Sequence, residues 1–328
     1  MIFKSFKLFV RFILLFSFLF FTNLKAEIIN WKKIESGKGS GNSRLIKLPE
    51  TVLEGKKLRM NHWDSCWQKG KGPDHCLNIT DEISRLDSQS IKFESHPGDC
   101  GLYRRSNDSK NSWNNCYEGA RRVFIGTKQG DWGSKWHSFS FYIPENYIHS
   151  NTPLIFNQLH RKGKGAHYRV GISPDGILNI QLRGFGHDKK CIKLSKKLIG
   201  KNICRHLGKD YYDPPFIDLK HFSNHVGMWK DFIVNVPNKK SLIIWLNGVK
   251  VVDFENKMPS NSSFSSTNFG IYQPNANQIK TKGKKTVKDW EHNEASTIQI
   301  IYIDEIRFAK ECSGLNLKDL GYNCNNIK

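Results

Sequence analysis

Hydrophobic and polar residues alternate with a period of two through much of this chain, and Gly, Pro, Asn and Asp interrupt the alternation at short intervals. Successive side chains on a strand point to opposite faces, so the pattern predicts short, half-buried strands rather than helices. The stretch 151–184, NTPLIFNQLHRKGKGAHYRVGISPDGILNIQLRG, predicts a three-stranded meander: 154–160, 167–172 and 177–183. A basic, Gly-containing connection at 161–165 and a Pro174-Asp175-Gly176 turn join the three. Gln158 and His160 share a face, as do His167 and Arg169, while Asn179, Gln181 and Arg183 lie opposite Leu178, Ile180 and Leu182. Any one of these polar residues could be an ordinary solvent-facing position of an antiparallel sheet. As a group they lack the Lys, Glu and Ser of a plain exposed face, and they suit the floor of a polar cleft.

Other strands are expected at 90–95 (SIKFES), at 120–125 with Arg121 and Arg122, and at 136–143 (WHSFSFYI). The last stops at Pro144, as a strand at a sheet edge or end would. Segments 231–236 and 241–246 are followed by Asn247-Gly248 and 249–254, a strong hairpin signal. NFGIYQ at 268–273 sets Phe269 and Ile271 on one face and Gly270 and Tyr272 on the other, and 297–308 reads as a long late strand. Residues 100–115 form a polar loop with Arg104, Arg105 and Trp113; 191–222 is a long insertion with His206, Tyr211 and Tyr212, a wall over the cleft. No repeat is evident. The fold class is all-β: a two-sheet antiparallel sandwich of jelly-roll, concanavalin-like type, over 27–310, with 311–328 as a disulfide-closed tail.

Residues 1–26 stand apart. Lys4, Lys7 and Arg11 precede the apolar run 12–21, and Ala26 offers a small residue for cleavage, the layout of a secretory signal peptide. The protein is therefore expected to be secreted or periplasmic, without stable membrane insertion after cleavage. Export also decides how the eight cysteines are read: Cys66, Cys76, Cys100, Cys116, Cys191, Cys204, Cys312 and Cys324 fall as four neighbouring couples, expected to pair in that order as disulfides. The formal charge is +21; 1–26 holds four cations and no acid, so the remainder carries +17. So basic an exported chain attracts polyanions, and the clusters at 161–164, 189–201 and 280–288 suit a binding rim.

These motifs resemble the jelly-roll polysaccharide lyases, the superfamily of alginate lyases, glucuronan lyases and heparin lyase. Those families share a Gln-x-His strand and a later Gly-x-Tyr strand facing one cleft, matched here by Gln158-Leu159-His160 and Gly270-Ile271-Tyr272-Gln273. SFSFYIP before the first motif, Gly227-Met228-Trp229-Lys230-Asp231-Phe232 leading into WLNG, and YIDEIRF near the end add to the likeness, which spans about 90–308. In one respect the chain departs: alginate lyases carry an Arg-x-Glu-x-Arg type strand, whereas here the nearest segment is Glu118-Gly119-Ala120-Arg121-Arg122-Val123. The arginine that meets the substrate carboxylate is therefore open between Arg121 and Arg122.

The chemistry asks for the same residue types. A lyase removes the C5 proton beside a uronate carboxylate and expels the oxygen at C4, so the site must offset the carboxylate charge and stabilise an enolate-like dianion. Gln158 and an arginine (Arg121 or Arg122, with Arg169 and Arg183 also available) can do so. His160 suits the base, and Tyr272 the acid, or both roles when proton and leaving group share a side. Asn179, Gln181 and Gln273 join the arginines as expected substrate contacts. The expected partner is an anionic polysaccharide, not nucleic acid, met by a monomer. No cofactor is required; Asp304 and neighbouring carbonyls offer a site for a structural calcium. Two alternatives share the architecture. A glycoside hydrolase would need paired carboxylates, and a non-catalytic polyanion-binding jelly roll could dispense with Gln158, His160 or Tyr272.

Overall fold

A computed structural model describes residues 75–86, 89–97, 99, 120–127, 135–150, 152–162, 165–185, 190–202, 205–208, 211–213, 215–259, 263–274, 279–281, 284–286 and 297–327. It also describes the short strand segments at 36–37, 45–46, 52–53, 56–57 and 60–63. The proposed signal peptide, Cys66, Cys100, Cys116, Cys204, Arg104, Arg105 and Trp113 lie outside the described residues, as do the side chains of His206, Tyr211 and Tyr212.

Two antiparallel sheets dominate. The larger has nine strands in the order β1 (Ser36–Gly37), β2 (Leu45–Ile46), β5 (Met60–Trp63), β8 (Arg121–Thr127), β19 (Phe264–Gln273), β10 (Leu154–Arg161), β11 (Ala166–Ile172), β12 (Ile177–Gln181) and β15 (Phe216–His221). The other has seven, in the order β18 (Val249–Phe254), β17 (Leu242–Leu246), β16 (Trp229–Asn235), β9 (Trp136–Tyr142), β22 (Gln299–Ala309), β7 (Ser90–Ser95) and β6 (Leu77–Thr80). Among the described residues three two-stranded ribbons complete the set: β3 (Val52–Leu53) with β4 (Lys56–Lys57), β13 (Arg205–Gly208) with β14 (Tyr211–Asp213), and β20 (Ile279–Thr281) with β21 (Lys284–Thr286).

The inner faces meet in one apolar core, as the alternation requires. Aromatic rings cross the interface: Phe139 lies 5.3 Å from Phe269, and Phe141 lies 4.6 Å from Phe156, centroid to centroid. The jelly-roll sandwich expected from the pattern is the fold observed, and the meander β10–β11–β12 occupies one half of the larger sheet. Asn247 (φ 49°) and Gly248 (φ 78°) form the tight hairpin turn between β17 and β18, both in the left-handed region such a turn demands.

Four details add to or depart from expectation. The strand that stops before Pro144 is central rather than an edge, since β9 lies between β16 and β22. Within the insertion 191–222 the described residues hold the helix Lys190–Ile199, which buries Cys191 and Ser195, and β15, which extends the larger sheet beside β12. The helical spacing Cys191, Leu194, Ser195, Leu198 is present in the sequence but hidden among lysines. Strand β12 ends at Gln181, so Arg183 sits in the short helical turn Arg183–Phe185. Asp304, offered above as a calcium ligand, is buried, with Oδ2 accepting the Arg85 amide (2.8 Å) and Oδ1 the Glu305 amide (2.8 Å).

The back of the smaller sheet is closed by the end of the chain. Leu315, Leu317, Leu320 and Ile327 pack on Ile233 and Trp245, and the expected Cys312–Cys324 disulfide pins this segment. Beside it, Asp231 accepts bonds from Arg85, Ser140 and Tyr322. Cys76 and Cys191 are also disulfide-bonded.

Candidate active site

The outer face of the larger sheet carries the polar residues that the pattern assigned to a cleft floor. Directly paired residues share a face, and the pairs Gln158↔Arg169, Arg169↔Gln181, Gln158↔Asn268 and Tyr272↔Arg122 line up five strands of polar side chains. His160 lies opposite Ser266 and Ala166 on the same face. Tyr272 pairs with Ile155 of β10, and its ring meets Phe124 of β8 edge-on at 5.9 Å.

Two arginines bridge the phenol and the imidazole. The Arg122 guanidinium carbon stands 4.4 Å from the centre of the Tyr272 ring, and that of Arg169 stands 5.8 Å away. Both act on His160, whose pKa is pushed down to about 3, first by burial and then by the charges of Arg122, Arg169, Arg161 and Arg183. The imidazole is therefore neutral at physiological pH and able to accept a proton. A bound carboxylate would cancel part of this arginine field and raise the basicity of His160 when substrate is present.

Some polar atoms in the floor lack internal partners. Gln158 is 1% exposed and its Oε1 has no hydrogen-bond partner; the same holds for Asn268 Oδ1 and Arg122 Nε. Sealed, unpaired groups are costly in a sheet serving only architecture. Gln158 Oε1 and Asn268 Oδ1 can accept from a ligand's hydroxyls, and Arg122 Nε can donate to its carboxylate. Strands β8, β19, β10, β11 and β12 contain no Asp or Glu, and the carboxylate of Asp218, opposite Asn179, comes from the neighbouring edge strand β15.

The two candidate arginines part company here. Arg122 faces the groove, stacked between Tyr272 and Phe124. Arg121 points the other way, fully buried, with Nη1 donating to the Thr297 carbonyl at 3.0 Å; burial pushes its pKa down to about 10. Gln273 also leaves the expected set, because it lies on the inner side of β19 and donates to Ser150 (2.7 Å) and Thr152 (3.1 Å). Both changes follow from the period of two: 121 and 273 fall on the core-facing phase of their strands.

Asn179 and Gln181 keep the groove-facing phase of β12, although Asn179 spends its amide N–H on the Ile177 carbonyl at 3.0 Å. Arg183 stands close enough to depress His160. Pattern reading missed Asn268 and Phe124. Asn268 was legible, two residues before Gly270 on the same face as Tyr272. Phe124 joins Ala120, Ile155 and Tyr272 in a small apolar cluster on the groove side. Among the described residues, His75, Cys76 and Asp99 lie within metal-ligand spacing of one another, but Cys76 is in a disulfide and Asp99 already binds His75 and the His96 amide.

A family model described as polysaccharide lyase matches residues 56–307, three quarters of the chain and every strand of the groove floor. The chain belongs to the polysaccharide lyase family. As such, this lyase is an enzyme that degrades polysaccharide. Among solved structures it is similar to an endo-β-1,4-glucuronan lyase from the fungus Trichoderma reesei (13% identity, TM-score 0.42, covering 77% of this chain and 96% of that one). It is also similar to the alginate lyase AlgAT5 of polysaccharide lyase family 7 (10% identity, TM-score 0.38, 72% and 83%). A third likeness is to the cellulose-induced protein Cip1 (15% identity, TM-score 0.39, 76% and 91%). No curated protein matches the sequence.

Proposed function

We propose that this lyase cleaves a uronic-acid-containing anionic polysaccharide by β-elimination, in the groove floored by β8, β19, β10, β11 and β12. Arg122 and Gln158 receive the carboxylate of the sugar whose C5 proton is lost, with Arg169 beside them. Their charge and donors lower the energy of the enolate-like dianion that forms as the proton leaves. His160, neutral at working pH, takes the C5 proton, and the Tyr272 hydroxyl delivers a proton to the departing C4 oxygen. Where proton and leaving group lie on one side of the ring, Tyr272 serves as both base and acid. Asn268, Asn179, Gln181 and Arg183 contact the sugar hydroxyls and flanking carboxylates. The reaction needs no cofactor, and the protein acts as a monomer exported by its leader.

The observation that carries this reading is the stack of Arg122 on Tyr272 at 4.4 Å, with Arg122 Nε unpartnered and Gln158 on the same face, in a floor whose five strands hold no carboxylate. A retaining or inverting glycosidase needs two carboxyl groups across the scissile bond, and these strands offer none. Incubation with glucuronan, alginate, pectate and heparin-type chains tests the proposal. Elimination leaves a C4–C5 double bond that absorbs in the ultraviolet. New reducing ends without that absorbance would indicate hydrolysis, and neither signal with any substrate would indicate a binding module.

A further inference from the structure

Strict alternation along β10 would defeat the groove. Leu154 and Phe156 both point into the sandwich core. Counting on by twos would send Gln158 and His160 inward and turn Asn157 and Leu159 out. The strand escapes this through a bulge. Toward β11 the pairs run Leu154↔Ile172, Ile155↔Gly171, then Asn157↔Val170 and Gln158↔Arg169, leaving Phe156 without a partner. Phe156 and Asn157 thus both face inward, and the extra residue resets the phase so that Gln158 and His160 face the groove.

A buried polar chain converges on that bulge. Asn157 is fully buried, and its Oδ1 accepts the Tyr168 hydroxyl at 2.9 Å. The Tyr168 oxygen lies 2.7 Å from Nε2 of His137, on β9 in the opposite sheet. Because the Tyr168 proton goes to Asn157, the imidazole N–H is the donor in this pair. Asn157 Nδ2 donates in turn to the Asn268 carbonyl (3.0 Å) and reaches Thr267 Oγ1 (3.4 Å), which donates to the Gln158 carbonyl (3.3 Å). The chain starts on the far sheet, crosses the core and ends on the backbone of Gln158. Close backbone approach flanks it: a Cβ on Gly171 would meet the Leu154 carbonyl oxygen at 2.1 Å, and one on Gly270 would meet that of Val123 at 2.1 Å. An imidazole, a phenol and an amide are costly at this depth unless each is partnered. An apolar core packs without them.

We propose that His137, Tyr168, Asn157 and Thr267 are positioning residues, a buried hydrogen-bonded chain that holds the β10 bulge and so keeps Gln158 and His160 turned into the groove. The consequence for turnover rests on the elimination reading above; the consequence for the strand does not.

Tyr168→Phe removes one hydroxyl and keeps the ring. In the full chain it is expected to lower kcat about ten- to a hundredfold with KM little changed, the scale of a misplaced catalytic group. Amide hydrogen exchange should quicken in β10 and β11 and stay at the wild-type rate in the β17–β18 hairpin. Thr267→Val should act in the same direction and Thr267→Ser should restore kcat. Wild-type kcat in folded Tyr168→Phe overturns the proposal. So does a loss of kcat with exchange raised evenly over both sheets, which would mark general destabilisation. Should Tyr168→Phe not fold, equal kcat in Thr267→Val and Thr267→Ser overturns it, as does failure of both Tyr168→Phe and Thr267→Val to fold. If wild-type protein eliminates no polyuronate, the proposed function falls, and the exchange pattern alone decides the role of the chain.

Discussion

Replacing Arg122 by alanine separates the electrostatic part of the account from everything else. The guanidinium sits 4.4 Å from the Tyr272 ring on the groove face and depresses His160, so its removal acts on substrate and base together. A unit charge 4 Å from a carboxylate in a partly solvated protein site contributes about 4 kcal/mol. With Arg169 and Gln158 still in place, part of that is retained. The expected loss in kcat/KM is about two to three orders of magnitude, which corresponds to about 3–4 kcal/mol of transition-state stabilisation. The sign of the pH effect is also set. Loss of a neighbouring positive charge raises the His160 pKa, the base must be neutral to act, and so the acid limb of kcat/KM should move to higher pH. Ultraviolet absorbance of the unsaturated product, followed across pH, reads both quantities. Arg121→Ala is the control: it should lower the melting temperature through loss of the buried bond to Thr297 while leaving kcat of the folded protein near wild type. Near-normal kcat/KM in Arg122→Ala, or an acid limb that moves downward, would refute the reasoning.

Tyr272→Phe and His160→Ala should each abolish turnover but still bind a polyuronate in calorimetry, and wild-type rates in either would remove that residue from the reaction. Stability should fall as the solution is acidified. His137, His160 and His167 each have a folded pKa pushed down to about 3 by burial, so between about 6.5 and 3 the unfolded chain binds more protons than the folded one. Above that window they contribute no pH dependence; within it each supplies a slope of up to about 1.4 kcal/mol per pH unit. Melts that show no loss between pH 7 and pH 5 would contradict their neutral burial. Affinity for the polyanion should weaken as ionic strength rises, since Arg122, Arg161, Arg169 and Arg183 surround His160; a flat salt dependence would mean that the charge takes no part in binding.

Much of the architecture could be read from side-chain alternation alone. The strands SIKFES, WHSFSFYI and NFGIYQ stand where the pattern put them, and Asn247-Gly248 makes its hairpin because both positions tolerate the left-handed backbone. The groove was legible as a set of residue types but not as a phase. Continued from the core residues Leu154 and Phe156, period-two counting turns Gln158 and His160 inward, and only the bulge at Phe156 and Asn157 returns them to the outer face. A bulge depends on tertiary hydrogen bonds from His137 and Tyr168, which are remote in sequence, so no local pattern announces it. The choice between Arg121 and Arg122 was open for a related reason: two adjacent arginines occupy both faces, and the register with Tyr272 decides. The helix Lys190–Ile199 escaped notice because its apolar stripe is narrow and its remaining positions are lysine-rich.

The central claim is that an amide, an imidazole, a phenol and a guanidinium from separate strands converge on one uronate. A crystal structure of Tyr272→Phe with a bound oligouronate measures that directly. The account predicts a carboxylate within hydrogen-bond reach of Gln158 and Arg122, with a ring nitrogen of His160 directed at C5 of the same sugar. A saccharide seated elsewhere on the sandwich, or one whose carboxylate points away from Gln158 and Arg122, would contradict it.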